Sequence, residues 1–353
     1  MTESSRMVHT VAGAVDPAEL GVVLPHEHLF NDLSSCLVDP TYSFSQVLAD
    51  HPVDASLQWA LKQDPYCSAD NVASKNPAGV RSEAVAFQGV GGGTIVDATG
   101  SDAIGRSPAD LLRLSRETGL HVVMSTGAYL EKFEGDRLTT HSVDELAEQI
   151  LSELRDGVGV GEERVRAGMI GEVGVSPDFT DGERISLRAA ALAQHDRPGT
   201  AMNIHMPGWQ RRGGEVLEIA VEEMGADPAQ ISLAHSDPSG ADVDYQRRLL
   251  DSGVWLEFDM IGLDISFPGE GVSPSISETA DAVARLIALG YGDQLLLSHD
   301  LFLKQMWSRL GGSGLLLVPT VFLELLAVRG VDPAQAERLI TANPQRYLGG
   351  PGQ

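Results

Sequence analysis

Five short apolar runs in this sequence each lead into a residue that can bind a divalent metal. Gly21-Val22-Val23-Leu24 leads through Pro25 into His26-Glu27-His28. Met169-Ile170-Gly171 leads into Glu172, Met202-Asn203-Ile204 into His205, and Ile231-Ser232-Leu233-Ala234 into His235. Leu295-Leu296-Leu297-Ser298-His299 leads into Asp300. Runs of this kind read as buried strands. Side chains alternate across a strand, so His26 and His28 share one side and can offer two nitrogens to one ion. Every candidate ligand sits at the carboxyl end of its run, where a barrel of parallel strands carries its active site. A closed barrel brings five such ends around one axis. An open doubly wound sheet would need a reversal of strand order to gather them.

The rest of the chain supplies the alternation that a (β/α)₈ TIM barrel requires. Further strands are predicted at residues 94–99, 121–126 and 254–258, and helices at 82–90, 108–117, 143–154, 185–195, 214–224, 243–252 and 277–289. Residues 7–15 read as a strand or small hairpin ahead of the barrel. Helical segments at 315–328 and 332–340 would complete the outer ring. The triplet Gly91-Gly92-Gly93 precedes its strand, so it is wrongly placed for a nucleotide-binding loop. A long irregular insert at about 32–79 carries Pro40, Pro52, Pro65 and Pro77 and one helix-like piece at 55–62. It is either a wall of the active site or a peripheral loop. At 353 residues the chain is expected to be a single barrel domain over 1–353.

Taken singly, each ligand candidate has an ordinary use. His205 could hydrogen-bond at a strand end, Glu172 could form a salt bridge, and Asp300 could cap a helix. Six such residues on five strand ends point instead to a shared binuclear site. His26 and His28 would hold a more buried ion and His205 and His235 a more exposed one. Glu172 would bridge them, and Asp300 would bind the first ion and face the solvent between. Nitrogen and carboxylate donors in this ratio suit two Zn²⁺ ions, or less selectively Mn²⁺, Co²⁺ or Ni²⁺. Such a pair can acidify a shared water and polarise a substrate oxygen.

Charge narrows the partners. Asp and Glu number 50 against 25 Lys and Arg, a formal net charge of -25. That excess disfavours nucleic-acid phosphates and anionic membranes, though a buried dication can still attract a small anion. The 2 cysteines, Cys36 and Cys67, make a disulfide framework improbable on composition and suggest a reducing compartment. The N-terminal stretch lacks the basic-then-apolar pattern of a signal peptide, and residues 315–328 are interrupted by Pro319 and Glu324. A cytoplasmic protein acting on a small molecule is expected, with no nucleic acid and no membrane.

The segments Leu24-Pro25-His26-Glu27-His28, Gly171-Glu172-Val173-Gly174, Ile204-His205, Ala234-His235 and Ser298-His299-Asp300 resemble the phosphotriesterase family of the amidohydrolase superfamily. The closing Ala342-Asn343-Pro344-Gln345-Arg346 also resembles that family, so the likeness runs from about residue 8 to 348. It implies a (β/α)₈ barrel, a binuclear centre, a bridging hydroxide, hydrolysis and a homodimer. Residue by residue it places His26, His28 and Asp300 on the buried ion, His205 and His235 on the exposed ion, and Glu172 at the bridge. The best-known organophosphate hydrolases of the family resemble one another in using a carboxylated lysine at the bridge. Here the lysines are Lys62, Lys75, Lys132 and Lys304, and none lies on the fourth strand. Glutamate presents the same two oxygens and single charge on a shorter arm. The substitution shifts the expected substrate toward a lactone or carboxyl ester, with a phosphotriester or an N-acyl amide as alternatives. A non-catalytic, metal-stabilised binding protein is the remaining reading. Asp300 is the candidate catalytic residue, receiving the proton of the attacking water. Tyr129, Trp209, Arg211, Asp264 and Lys304 are candidate substrate contacts.

Overall fold

The computed structural model describes residues 7–267 and 269–350. Its centre is an eight-stranded parallel sheet. The strands are β1 (Val22–Glu27), β2 (Gly92–Asp97), β3 (His121–Thr126), β4 (Met169–Gly174), β5 (Met202–His205), β6 (Ile231–Leu233), β7 (Trp255–Phe258) and β8 (Leu295–Leu297). They pair in sequence order from β1 to β8. Ile170 on β4 stands opposite Met202 on β5, which stands opposite Ile231 on β6. The two ends of the sheet meet: the Asp300 N–H donates to the His26 carbonyl at 3.2 Å, and the His26 N–H donates to Ser298 Oγ at 3.1 Å. These contacts make the sheet a (β/α)₈ barrel.

Alternation along the strands divides the core. Leu24, Ile95, Val122 and Leu295 pack outward with the helices, while Val23, Val96, Val123 and Leu296 join a separate interior cluster. Tyr347, on the C-terminal helix Ala342–Gly349, fills the floor of that cluster and hydrogen-bonds Ser232 Oγ at 2.9 Å. The opposite end of the barrel is left for the site.

Helix boundaries follow local capping chemistry. The helices Val143–Arg155, Asp181–Asp196 and Ile276–Ala288 each open with a capping box, built from Ser142 and Glu145, Thr180 and Glu183, and Ser275 and Glu278. Each cap satisfies otherwise orphaned N–H groups, worth about 0.5–2 kcal/mol. The cap at Thr180 moves the start of the helix predicted at 185–195 forward to Asp181. Pro77, with Asn76 capping it, likewise starts the helix predicted at 82–90 earlier, as Pro77–Gly89. The segment predicted helical at 214–224 is Gly213–Leu217 continued by a π-helical Glu218–Glu223. Two short hairpins, Val158–Val160 with Glu163–Val165 and Ser266–Phe267 with Gly271–Val272, have no counterpart in the sequence reading.

The insert is a chain of 3₁₀ turns and two four-residue helices, Gln58–Leu61 and Ala69–Val72. It has its own small core of Leu48, Val53, Ala60, Leu61 and Cys67. Buried Asp64 ties it together, accepting from the Thr41 N–H at 2.7 Å and from Ser45 Oγ at 2.6 Å. Both cysteines are free. No helix among the described residues is long and apolar enough to cross a membrane.

Candidate metal centre

The strand ends bring the six predicted ligands together. Glu172, at the end of β4, is central. Its Oε1 lies 2.6 Å from His205 Nδ1 and 3.0 Å from His235 Nε2, and those two nitrogens are 2.9 Å apart. Its Oε2 lies 3.6 Å from His28 Nε2. Asp300 Oδ1 lies 3.3 Å from His28 Nε2 and 3.7 Å from His26 Nε2. Two overlapping ligand groups result, His26 with His28 and Glu172, and Glu172 with His205 and His235. In each, the donor atoms all lie within 4.8 Å of one another.

These residues fit divalent ions better than they fit each other. Both ring nitrogens of buried His26 lack a hydrogen-bond partner. Its Nε2 faces Glu172 and Asp300 at 3.7 Å, beyond hydrogen-bonding distance. Ligands bound at roughly 2.1 Å around a tetrahedral ion stand about 3.4 Å apart, close to the 3.3–3.7 Å separations among His26, His28, Glu172 and Asp300, while the Glu172, His205 and His235 donors lie closer together at 2.6–3.0 Å. Burial opposes protonation of His26, but Asp259, Glu172 and Glu257 outweigh it and push the imidazole up to about 10. Burial likewise opposes ionisation of Glu172, yet the surrounding imidazoles, His205 foremost, hold its carboxyl well below the usual range. The cluster is therefore a strong sink for positive charge, filled by protons or by metal.

A second layer orients the ligands. Asp259, just past β7, accepts from the His235 N–H at 3.0 Å and lies 2.9 Å from its Nδ1. Its other oxygen is 3.5 Å from His26 Nδ1, with Glu257 Oε2 at 3.7 Å on the same nitrogen. Thr99 Oγ1 lies 2.9 Å from His28 Nδ1. Glu27, between the two β1 histidines, turns to the other side of the strand. Its carboxylate accepts from the N–H groups of His299 at 3.0 Å and Leu301 at 2.8 Å, and from Ser298 Oγ at 2.9 Å. His235 and Asp300 both adopt left-handed backbone, with φ of 55° and 51°. Such conformations cost about 1 kcal/mol or more each, and the carboxylates of Asp259 and Glu27 brace the two turns that contain them. Glu27, Glu257, Asp259 and Thr99 were absent from the sequence-based site. Asp259 carried the same signal as the ligands, a carboxylate at the end of an apolar strand.

A cavity of about 690 Å³ opens above the cluster. His28, Glu172, His205, His235 and Asp300 form its base, and Leu33, Cys36, Val38 and Tyr66 from the insert form one wall. The insert is thus part of the site. Tyr129 and Trp209 line the cavity. The Tyr129 ring meets His205 edge-on at 5.0 Å, with its hydroxyl 3.4 Å from Nδ1. Arg211, Asp264 and Lys304, the other expected substrate contacts, are not among the residues that line the cavity. Arg211 lies 3.4 Å from Asp242 and over the Tyr245 ring. Asp264 holds Lys62 at 2.5 Å, and Lys304 holds Asp70 at 2.5 Å. In so acidic a chain each of these cations has been taken by a nearby carboxylate.

The phosphotriesterase family model matches residues 6–348. The chain belongs to the phosphotriesterase family. It is 31% identical over 354 residues to the N-acetyltaurine hydrolase of Salmo salar, covering 99% of both chains. Among solved structures it is similar to a resiniferatoxin-binding protein from Rhodobacter sphaeroides, at 40% identity and a TM-score of 0.92 over 98% of this chain and 95% of that one. It is also similar to a mutant phosphotriesterase-like lactonase of Deinococcus radiodurans, at 28% identity and a TM-score of 0.73 over 97% and 99%. Family membership and the two ligand groups make this a divalent-metal-dependent hydrolase with a binuclear site. As a member of the phosphotriesterase family it carries Glu172 where the two ligand groups meet.

Proposed function

We propose that the enzyme hydrolyses an N-acyl amide, releasing a carboxylic acid and an amine. The observation that carries this reading is the end-to-end match to N-acetyltaurine hydrolases, 31% identical over 99% of both chains. It reverses the order expected from the bridging glutamate, which had put lactones and carboxyl esters first. Lactone opening is kept as the second reading because the Deinococcus radiodurans relative is named as a lactonase.

In this reading His26, His28 and Asp300 hold one ion, His205 and His235 the other, and Glu172 both. Zn²⁺ is the ion proposed first, with Mn²⁺, Co²⁺ and Ni²⁺ compatible with the same donors. When bound, the ions supply an acidified water and polarise the acyl carbonyl. Asp300 has one oxygen turned to the imidazoles and its Oδ2 3.9 Å from His235 Nδ1, too far to hydrogen-bond. In this reading that oxygen takes the water's proton and returns it to the amide nitrogen as the C–N bond breaks. Burial, with Glu172 and Asp300 adding to it, keeps the Tyr129 phenol protonated. Tyr129 can therefore donate to the carbonyl oxygen as it gains negative charge. A homodimer in a reducing compartment completes the proposal, and light scattering that found only monomer would remove the dimer.

The test is a metal-replete panel of N-acetyltaurine, N-acyl amino acids, lactones and a phosphotriester, ranked by kcat/KM. The best amide should lead by at least about tenfold, or about 1.4 kcal/mol in transition-state preference. A lactone ranked first would overturn the amide reading and leave the metal hydrolase standing.

A further inference from the structure

The insert sends one cation into the wall behind the cavity. Lys75 is 3% exposed and does not line the cavity. Its Nζ donates to Asn31 Oδ1 and to the Phe302 carbonyl oxygen. Both of those residues do line the cavity. Asn31 follows His28 by three residues, and Phe302 follows Asp300 by two. Lys75 therefore clasps the two loops that leave β1 and β8 beside the metal site.

The clasp decides which way the Asn31 amide faces. When protonated, a lysine ammonium has donors only, so an oxygen meets it, and the amide oxygen does. The NH₂ end must then face away from Lys75. One of its hydrogens goes to the Phe302 carbonyl at 3.2 Å. The second has no protein partner among the described residues. Buried donors in native proteins find partners, and Asn31 is 2% exposed on the cavity wall. Asn31 lines the cavity, so a group bound there is within the reach of this second hydrogen. Lys132 is the one lysine or arginine among the described lining residues, against Asp178, Glu183 and Glu270, so apart from it the donors in the lining are neutral side chains such as Ser35, Tyr66, Tyr129 and Trp209. Keeping a lysine in this position is costly. Burial pushes its ammonium down to about 7, despite the attraction of Asp97, Asp300 and Asp32.

We infer that Asn31, locked in one orientation by Lys75, donates a hydrogen bond to an oxygen of the bound substrate and so helps set specificity. The acceptor is a carbonyl, carboxylate or sulfonate oxygen. A substrate presenting an ammonium group there would meet a donor and be rejected. The inference rests on the amide-hydrolase reading only for the choice of assay substrate.

Asn31→Asp tests it directly. The variant keeps the side-chain volume and the oxygen facing Lys75, and it replaces the donor with a second oxygen. With N-acetyltaurine and the metal-loaded enzyme, KM should rise at least about tenfold while kcat stays within about threefold, as expected for one lost hydrogen bond to a polar ligand. Lys75→Met frees the amide to turn and should raise KM by a smaller factor, about threefold. An unchanged KM in Asn31→Asp would overturn the inference. So would a fall in kcat at constant KM, which would mean a disturbed metal site. If Lys75→Met does not fold, Asn31→Asp still decides. If the wild type opens lactones but leaves amides intact, the amide reading fails by itself, and the same KM comparison on the lactone judges Asn31 separately.

Discussion

Replacing Lys75 with Met should change the pH dependence of stability in a defined direction. Burial lowers the Lys75 pKa from 10.5 to about 7. The unfolded chain therefore binds more protons at this residue than the folded chain between about pH 7 and 10.5. Stability of the wild type rises with pH across that window, and below pH 7 the full penalty is present. A fall of about 3.5 in pKa, at about 1.4 kcal/mol for each tenfold step, is a penalty of about 5 kcal/mol at low pH. At 3% exposure, solvent screening discounts it little. Against this, the variant leaves Asn31 Oδ1 and the Phe302 carbonyl without their donor, at about 1–3 kcal/mol each. The absolute change at one pH is thus a difference of similar quantities. Its pH slope is not, because the lost hydrogen bonds contribute nearly equally at every pH. From pH 6.5 to 9.5 the stability of Lys75→Met relative to wild type should fall by about 3 kcal/mol. Urea titrations of both proteins, in steps of half a pH unit at fixed metal concentration, measure it. Groups that titrate alike in the two proteins cancel. A difference that stays constant within about 0.5 kcal/mol, inside the error of such extrapolations, would mean that Lys75 titrates as an exposed lysine. The clasp on Asn31 would fall with it.

Three further outcomes follow from the metal centre. Asp300→Asn should lower kcat by about two to four orders of magnitude while metal analysis still finds two ions per chain; wild-type turnover in a fully metallated variant would exclude the proton-transfer role. Asp259→Asn, which weakens the hold on His235 Nδ1, should reduce metal affinity about 10–100-fold in competition with a chelator, and unchanged affinity would make Asp259 a packing residue only. Dialysis against chelator should abolish turnover and lower the melting temperature, with Zn²⁺ or Mn²⁺ restoring both; activity that survives complete metal removal would contradict the hydrolase mechanism.

Much of the site was legible in the sequence because its signal is local. An apolar run sets a strand, and its last residue then points to the catalytic face of a barrel. His26, His28, Glu172, His205, His235 and Asp300 each needed only a few neighbours to be recognised, and the net charge of -25 needed no structure at all. The capping pairs that start the helices are equally local, and there the misplaced boundaries came from overlooking Thr180 and Asn76. What the tertiary structure alone decided is which distant groups meet. Lys62 pairs with Asp264 across 202 residues and Lys304 with Asp70 across 234, ion pairs that no short window of sequence shows. Lys75 reaches Phe302 across 227 residues, turning an unremarked lysine of the insert into a brace for the cavity wall. A short window of sequence encodes periodicity and caps. The partner of a buried charge is set by where the closed barrel brings the strand ends and loops together, because in a dry interior the nearest opposite charge or acceptor takes it.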